Sequence, residues 1–402
     1  MCVAWKERFT ARVIISNDTY SSFTSNGHSE GRVEMRISAG VFFYVMVFML
    51  AISSVPGFSQ TLTPQEELGS FLFLDANLSE PAGQSCSSCH DPATGFAEPD
   101  QNLPVSEGVI VGRFGTRNSP SAAYALFFPE FTLKKGILGG QFWDGRAANL
   151  TEQAKGPFLN PVEMNNTSKA QVLGKIQLSS YAALFEQVCG PDAFAPENVE
   201  TSYHCMAEAI AAFESTEDFR RFDSKFDLFE AGLVELTLQE ELGMDLYSGK
   251  AKCGHCHPAK AGGNNPVLFT DFKFHNLGLP KNSEFPFDPN APPDLGLGGF
   301  LNDPKQDGRF KSPHLRNIAL TPPYMHNGVL KTLKQVVHFY NTRDVLPLCG
   351  TNLDPGFGTT CWAPPEVPEN MDSSFLGDLG LTEAEEDAIV AFMLTFTDGY
   401  QP

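Results

Sequence analysis

At 402 residues, with 48 acidic against 28 basic side chains, the chain carries a formal net charge of −20. Such a charge argues against nucleic acid and against an anionic membrane surface as partners. The length exceeds what one apolar core usually serves, so two domains are expected.

Residues 1–34 are polar, Ser-rich and patternless, which reads as a leader or a misplaced start with Met35 as the true first residue. Residues 35–59 read as a secretory signal: Arg36 is its positive end, an apolar run follows, and small residues lead to cleavage near Ser59. The apolar run is shorter than the roughly 20 residues of a spanning helix, so no stable membrane insertion is expected after cleavage. "TPQEELGSFLF" (63–73) starts with Thr and carries Glu three residues on, a capping-box helix start. "CSSCH" follows at 86–90. "DGRAANLTEQAKGP" (144–157) predicts a turn at Gly145 and a helix carrying Leu150, and Tyr203, Met206, Ile210 and Phe213 form a helical stripe.

The pattern then recurs. "TLQEELGMDLY" (237–247) matches the first segment at a fixed offset and precedes "CGHCH" (253–257). "NGVLKTLKQVVHFY" (327–340) matches 144–157: a turn at Gly328, then a helix with Leu330, Leu333, Val336, Val337 and Tyr340 on one face. Thr382 and Glu385 cap a last helix bearing Ile389, Val390, Phe392, Met393 and Phe396. Residues 280–308 and 344–370, rich in Pro, Gly and Asp, read as long loops, and there is little strand signal. The repeats predict two related domains, 60–230 and 231–402.

Nine cysteines are present. In an exported chain, the four outside the leader and the two motifs suggest bridges 189–205 and 349–361, the sequence-local pairing of the three possible. C-x-x-C-H is the attachment signature of c-type haem, with the His as iron ligand. A zinc site or redox dithiol has no need of His90 and His257. The expected architecture is therefore mainly α: two cytochrome c-like helical domains, each with one covalent haem, and long irregular loops. Cys86, Cys89 and His90 would hold one haem, and Cys253, Cys256 and His257 the other. His255 is read as a spacer. In the internal alignment Pro157, which has no side-chain donor atom, stands where Tyr340 stands in the second half. An open first iron and a Tyr340-closed second iron follow, with Met325, His326 and His338 as rival ligands.

Several further segments carry a resemblance: "TRNSP" (116–120), "FWDGR" (142–146), "NPVEM" (160–164), "PHLRNIALTPPYMHNG" (313–328) and "LKQVVHFY" (333–340). With the paired motifs, the chain resembles the bacterial dihaem cytochrome c peroxidase and MauG superfamily over most of 61–398. The resemblance implies an electron-conducting Trp143 between the haems and Gln153 and Glu163 over the reactive haem. Tyr340 falls on the axial-ligand position that holds Tyr in the MauG branch and Met in the peroxidases proper, and Pro157 also matches that branch. It further implies one Ca2+ held by the Asn118 side chain and the Thr321 and Pro323 carbonyls, and a periplasmic location. The loop before "TRNSP" lacks the His that blocks the resting haem in many peroxidases.

The expected function is a MauG-like, hydrogen peroxide-dependent oxidoreductase acting on a protein or small electron donor, with the donor unidentified. A conventional cytochrome c peroxidase and a non-catalytic dihaem electron carrier are the alternatives.

Overall fold

Thr63 and Thr237 open the two copies of the repeated segment in the same way. The computed structural model describes residues 61–134, 136–260 and 266–402; the expected leader (1–34) and signal segment (35–59) lie outside the described residues. The helices among these residues are α1 (Pro64–Leu74), α2 (Leu150–Ala154), α3 (Gly156–Leu159), α4 (Lys169–Gln177), α5 (Ala182–Cys189), α6 (Val199–Phe213), α7 (Lys225–Glu230), α8 (Leu238–Ser248), α9 (Leu297–Leu301), α10 (Leu333–Thr342) and α11 (Glu383–Leu394). At the start of α1 the Glu66 amide donates to Thr63 Oγ1 at 3.3 Å and the Thr63 amide donates to the Glu66 carboxylate at 2.7 Å. Thr237 and Glu240 repeat this reciprocal cap on α8, and Thr382 and Glu385 on α11.

The glycine shared by the two copies explains the next layer. A Cβ on Gly69 would sit 2.0 Å from the Ala209 carbonyl oxygen of α6, and one on Gly243 would sit 1.9 Å from the Ala388 carbonyl oxygen of α11. Each repeat helix thus crosses its partner backbone to backbone, and only glycine fits at the crossing. Leu68, Leu72, Phe73, Met206 and Ile210 build one apolar core around α1 and α6; Leu246, Tyr247, Ile389 and Phe392 build another around α8 and α11. Fully burying a side chain of this size contributes about 1.5–3 kcal/mol relative to exposing it.

Gly145 and Gly328 take positive φ values of 74° and 61°, and each turn leads into a helix, at Leu150 and Leu333. The two helices then diverge. Helix α10 runs through Tyr340 without interruption, whereas α2 ends at Ala154 and the chain resumes as α3. Pro157 lies in the first turn of α3, where its missing N–H costs nothing; inside one continuous helix it would remove the bond to Gln153.

Three expectations shift by a few residues. Leu330 lies before α10, bridged to Tyr324, because Thr332 caps the helix by accepting from the Gln335 amide at 3.1 Å. Phe396 lies beyond the end of α11 yet is fully buried, its ring 3.8 Å from that of Phe269. The loop over 280–308 contains the short helix α9. Strands are scarce, as expected: β1 (Phe274–His275) pairs antiparallel with β2 (Phe310–Lys311). Disulfides join Cys189 to Cys205 and Cys349 to Cys361. Arg316, 1 % exposed, forks onto Asp227 of α7, and the Lys311 amide donates to the Trp143 carbonyl at 2.7 Å. Among the described residues no helix is long and apolar enough to cross a membrane.

Candidate active site

Two cavities open beside the two C-x-x-C-H motifs. Cys86, Cys89 and His90 line the first, with Gln153, Pro157 and Glu163. Cys253, Cys256 and His257 line the second, with Met325, His326 and Tyr340. Trp143 and Asn118 line both.

Each motif histidine is held in one tautomer. His90 Nδ1 donates to the Phe96 carbonyl at 3.0 Å, and His257 Nδ1 donates to the Phe269 carbonyl at 2.7 Å. Each Nε2 therefore keeps its lone pair, the form a metal needs. Burial lowers both imidazoles from their ordinary value, which keeps them neutral. The four motif cysteines are free. Burial pushes Cys86, Cys89 and Cys253 well above the usual thiol range. Thiols so placed are poor thiolates for zinc or disulfide exchange. As thioethers they would carry no charge, so two cysteines beside one neutral imidazole fit covalent haem in each cavity.

Glu163 is half-buried, and burial raises its carboxyl above the ordinary range, although Asn160 Nδ2 donates to it at 2.7 Å and Arg146 lies near. Trp143 Nε1 donates to the Asn118 carbonyl at 2.8 Å. Asn118 spends its amide nitrogen on the Pro104 carbonyl at 3.1 Å, leaving Oδ1 as an oxygen donor; Thr321 and Pro323 line the same cavity. The Tyr340 hydroxyl makes no hydrogen bond among the described residues, and burial raises it well above the usual phenol value. Of its rivals, His338 is engaged elsewhere, with Nδ1 at 2.9 Å from Glu386 and Nε2 at 3.3 Å from the Thr359 carbonyl. Met325 and His326 share the Tyr340 cavity. His326 lies flat against Phe310, ring centroids 3.5 Å apart, with both nitrogens unpartnered. His255 stacks on Phe375 at the surface, away from either cavity.

Two features escape sequence reading. Arg117, inside the quoted "TRNSP", bridges Asp144 at 2.6 Å and Asp294 at 2.7 Å, tying the first cavity's wall to the second's. His275 sits between Asp271 and Asp372, each at 3.1 Å; burial opposes its charge, but the two carboxylates outweigh that and push it up to about 11. The first was hidden because Asp294 lies far along the chain, the second because neither aspartate is marked by a motif.

A helical chain with two C-x-x-C-H cavities sharing one tryptophan is a dihaem oxidoreductase of the peroxidase type. The comparisons with known proteins make the assignment narrower. A sequence model of the family "Di-haem cytochrome c peroxidase" matches residues 63–234. The methylamine utilization protein MauG of Paracoccus denitrificans is 39 % identical over 355 residues, covering 83 % of this chain and 89 % of that one. The cytochrome c551 peroxidase of Pseudomonas aeruginosa is 34 % identical over 68 % of this chain and 70 % of its own. Among solved structures, the diheme peroxidase BthA from Burkholderia thailandensis superposes with a TM-score of 0.74 at 32 % identity, over 85 % of this chain and 87 % of that one. The chain belongs to the dihaem cytochrome c peroxidase and MauG family.

Proposed function

We propose that the chain is an exported, periplasmic enzyme with one covalent haem c in each half, 60–230 and 231–402, that uses hydrogen peroxide to oxidise a protein or small electron donor. The observation that carries this reading is the asymmetry of two otherwise repeated cavities. Pro157 and the half-buried Glu163 wall the first, and the Tyr340 phenol walls the second. Cys86, Cys89 and His90 would hold the first haem; Cys253, Cys256, His257 and Tyr340 would hold the second. Bound there, the haems supply peroxide activation and a store for oxidising equivalents.

The chain's own residues do the rest. Pro157 presents no donor atom and leaves one face of the first cavity open to peroxide. Glu163 takes the proton from the near peroxide oxygen and returns it to the far one, a task suited to a carboxyl raised by burial. Gln153 orients the peroxide by hydrogen bonding. Trp143 passes electrons between the cavities. The Asn118 side chain and the Thr321 and Pro323 carbonyls offer the hard oxygens that suit Ca2+. A phenolate is a harder, anionic donor than the thioether of a His/Met haem, so it favours holding an oxidised state over accepting electrons from an ordinary cytochrome.

The test is peroxide added to the purified, fully oxidised protein without prior reduction, followed by mass spectrometry of candidate donors. Bleaching of the Soret band supports the reading. A reaction that begins only after one haem is reduced gives the conventional peroxidase instead. No reaction in either state, with two low-spin haems, gives the electron carrier.

A further inference from the structure

The two glycine crossings fix a register between α6 and α11. Gly69 presses on Ala209 and Phe213, and Gly243 on Ala388 and Phe392. In that register Ile210 corresponds to Ile389, and the next cavity-facing position pairs Glu214 with Met393. The walls agree: Ile210 and Glu214 line the first cavity, Ile389 and Met393 the second. Both residues are buried, Glu214 5 % and Met393 6 % exposed. One wall position therefore holds a thioether in one half and a carboxyl in the other.

Glu214 has no partner for its charge. Its Oε2 makes no hydrogen bond, and burial alone pushes the group up to about 8. The charged groups on the elements packed against α6 are turned elsewhere. Glu66 of α1 is spent on its cap and Glu67 is exposed, Glu152 pairs with Lys155, Lys169 with Glu200, Lys175 with Glu80, and Glu186 of α5 is exposed. Across the cavity, Glu163 is already stabilised by Asn160 and Arg146. Both carboxyls act on Cys86, raising its thiol, and haem attachment would remove that sulfur from titration. A buried, unpaired carboxyl in a haem cavity responds to the charge of the haem. Oxidation of the iron from ferrous to ferric adds one positive charge, which favours the carboxylate; by linkage, the carboxylate favours the ferric state.

We propose that Glu214 is the redox-linked proton site of the first haem, protonated when that haem is ferrous and ionised when it is ferric. Reduction by an external one-electron mediator then draws one proton from solvent onto Glu214, and oxidation returns it. Met393 gives the second haem no carboxyl at this position. The inference rests on the dihaem reading above and adds to it a reason why the two irons differ besides their sixth ligands.

The experiment is a spectroelectrochemical titration of the holoprotein from about pH 6 to about pH 9, a span that brackets a raised carboxyl, following each haem separately. The first-haem potential of the wild type falls with rising pH at one proton per electron over part of this range, while any slope at the second haem belongs to its own groups, such as the buried Lys311 that burial lowers to about 7. Glu214→Gln and Glu214→Met abolish the slope at the first haem and leave the second unchanged. Redox-difference infrared spectra of the wild type lose a protonated-carboxyl stretch on oxidation, and this band decides the matter if neither variant takes up haem. A slope that survives both Glu214 variants, one that vanishes only in Glu163→Gln, or the lack of that infrared band overturns the proposal. Wild-type protein that binds fewer than two haems overturns the dihaem reading instead, a separate result visible by intact mass.

Discussion

The indole of Trp143 is pinned to Asn118 by a 2.8 Å hydrogen bond from Nε1 to the backbone carbonyl. The Asn118 amide in turn donates to the His326 carbonyl at 2.7 Å. One short chain of bonds thus runs from the tryptophan shared by both cavities, through the residue proposed to bind calcium, to the unpartnered histidine of the second cavity. The indole is held in one orientation against both walls, which a relay between fixed redox centres requires.

Replacing Trp143 by Phe keeps an aromatic ring but removes the N–H and the easily oxidised indole. The lost hydrogen bond costs about 0.5–1.5 kcal/mol, too little to unfold the chain. In stopped-flow mixing with peroxide, the first-haem band should respond at the wild-type rate while the second-haem band no longer follows. Simultaneous changes of both bands in the variant would remove Trp143 from the path.

Glu163→Gln should keep both haems and slow the peroxide reaction by about 100- to 10,000-fold, the usual contribution of a positioned acid–base group. The pH profile has a definite sign. Burial raises the Glu163 carboxyl, and the reaction needs it ionised to accept a proton. The wild-type rate should therefore fall with decreasing pH, at a point above the ordinary glutamate value of about 4.3. The Gln variant should lack this acid limb. A variant rate within about twofold of wild type would make Glu163 a bystander.

The glycine crossings give a stability prediction independent of haem chemistry. Gly243→Ala drives a methyl group into the Ala388 carbonyl, and Gly69→Ala does the same at Ala209. Overpacking of this kind costs about 1–3 kcal/mol or more, and thermal melting should shift down by several degrees. Gly174 in α4 is the control, since an added Cβ there meets nothing within 4 Å. Gly174→Ala should raise stability by about 0.4–1 kcal/mol through the unfolded chain.

Much of this arrangement is legible in the sequence because both halves repeat the same local chemistry. The Thr–Glu caps of α1 and α8 and the C-x-x-C-H run are short-range signals, and each appears once in either half. Pro157 likewise announces the break between α2 and α3, since its backbone has no proton to give. What the sequence hides depends on distant contacts. Arg117 meets Asp294 across more than half the described chain, and Phe396 is buried by Phe269 although its helix has ended. Glu214 was readable in principle: the repeat register pairs it with Met393, but only the crossings at Ala209 and Ala388 reveal that register.

Calcium removal supplies a third chemical test. Holoprotein dialysed against a chelator should lose one Ca2+ per chain by elemental analysis, and Asn118→Ala should be purified without it. Asn118→Asp keeps an oxygen donor but loses the amide bond to the Pro104 carbonyl, so it should retain the ion with altered affinity. Unchanged metal content in Asn118→Ala would move the site away from this residue.

The second-haem ligand separates the two enzyme readings. Tyr340→Phe keeps the ring and removes the only oxygen on that helix face at the cavity, while His338 stays committed to Glu386 and the Thr359 carbonyl. The low-spin His/Tyr signal should vanish and the second-haem potential should change. If Tyr340 is the ligand as proposed, Tyr340→Met would replace a phenolate oxygen by a thioether, which raises the potential. That variant should accept electrons from a c-type cytochrome more readily and react with peroxide best after one-electron reduction, like the conventional peroxidases. If Tyr340→Phe leaves the spectrum unchanged, the ligand is Met325 or His326, the two rivals that share the cavity. The contrast between Pro157 and Tyr340 then no longer supports the proposal of an open first haem and a closed second one.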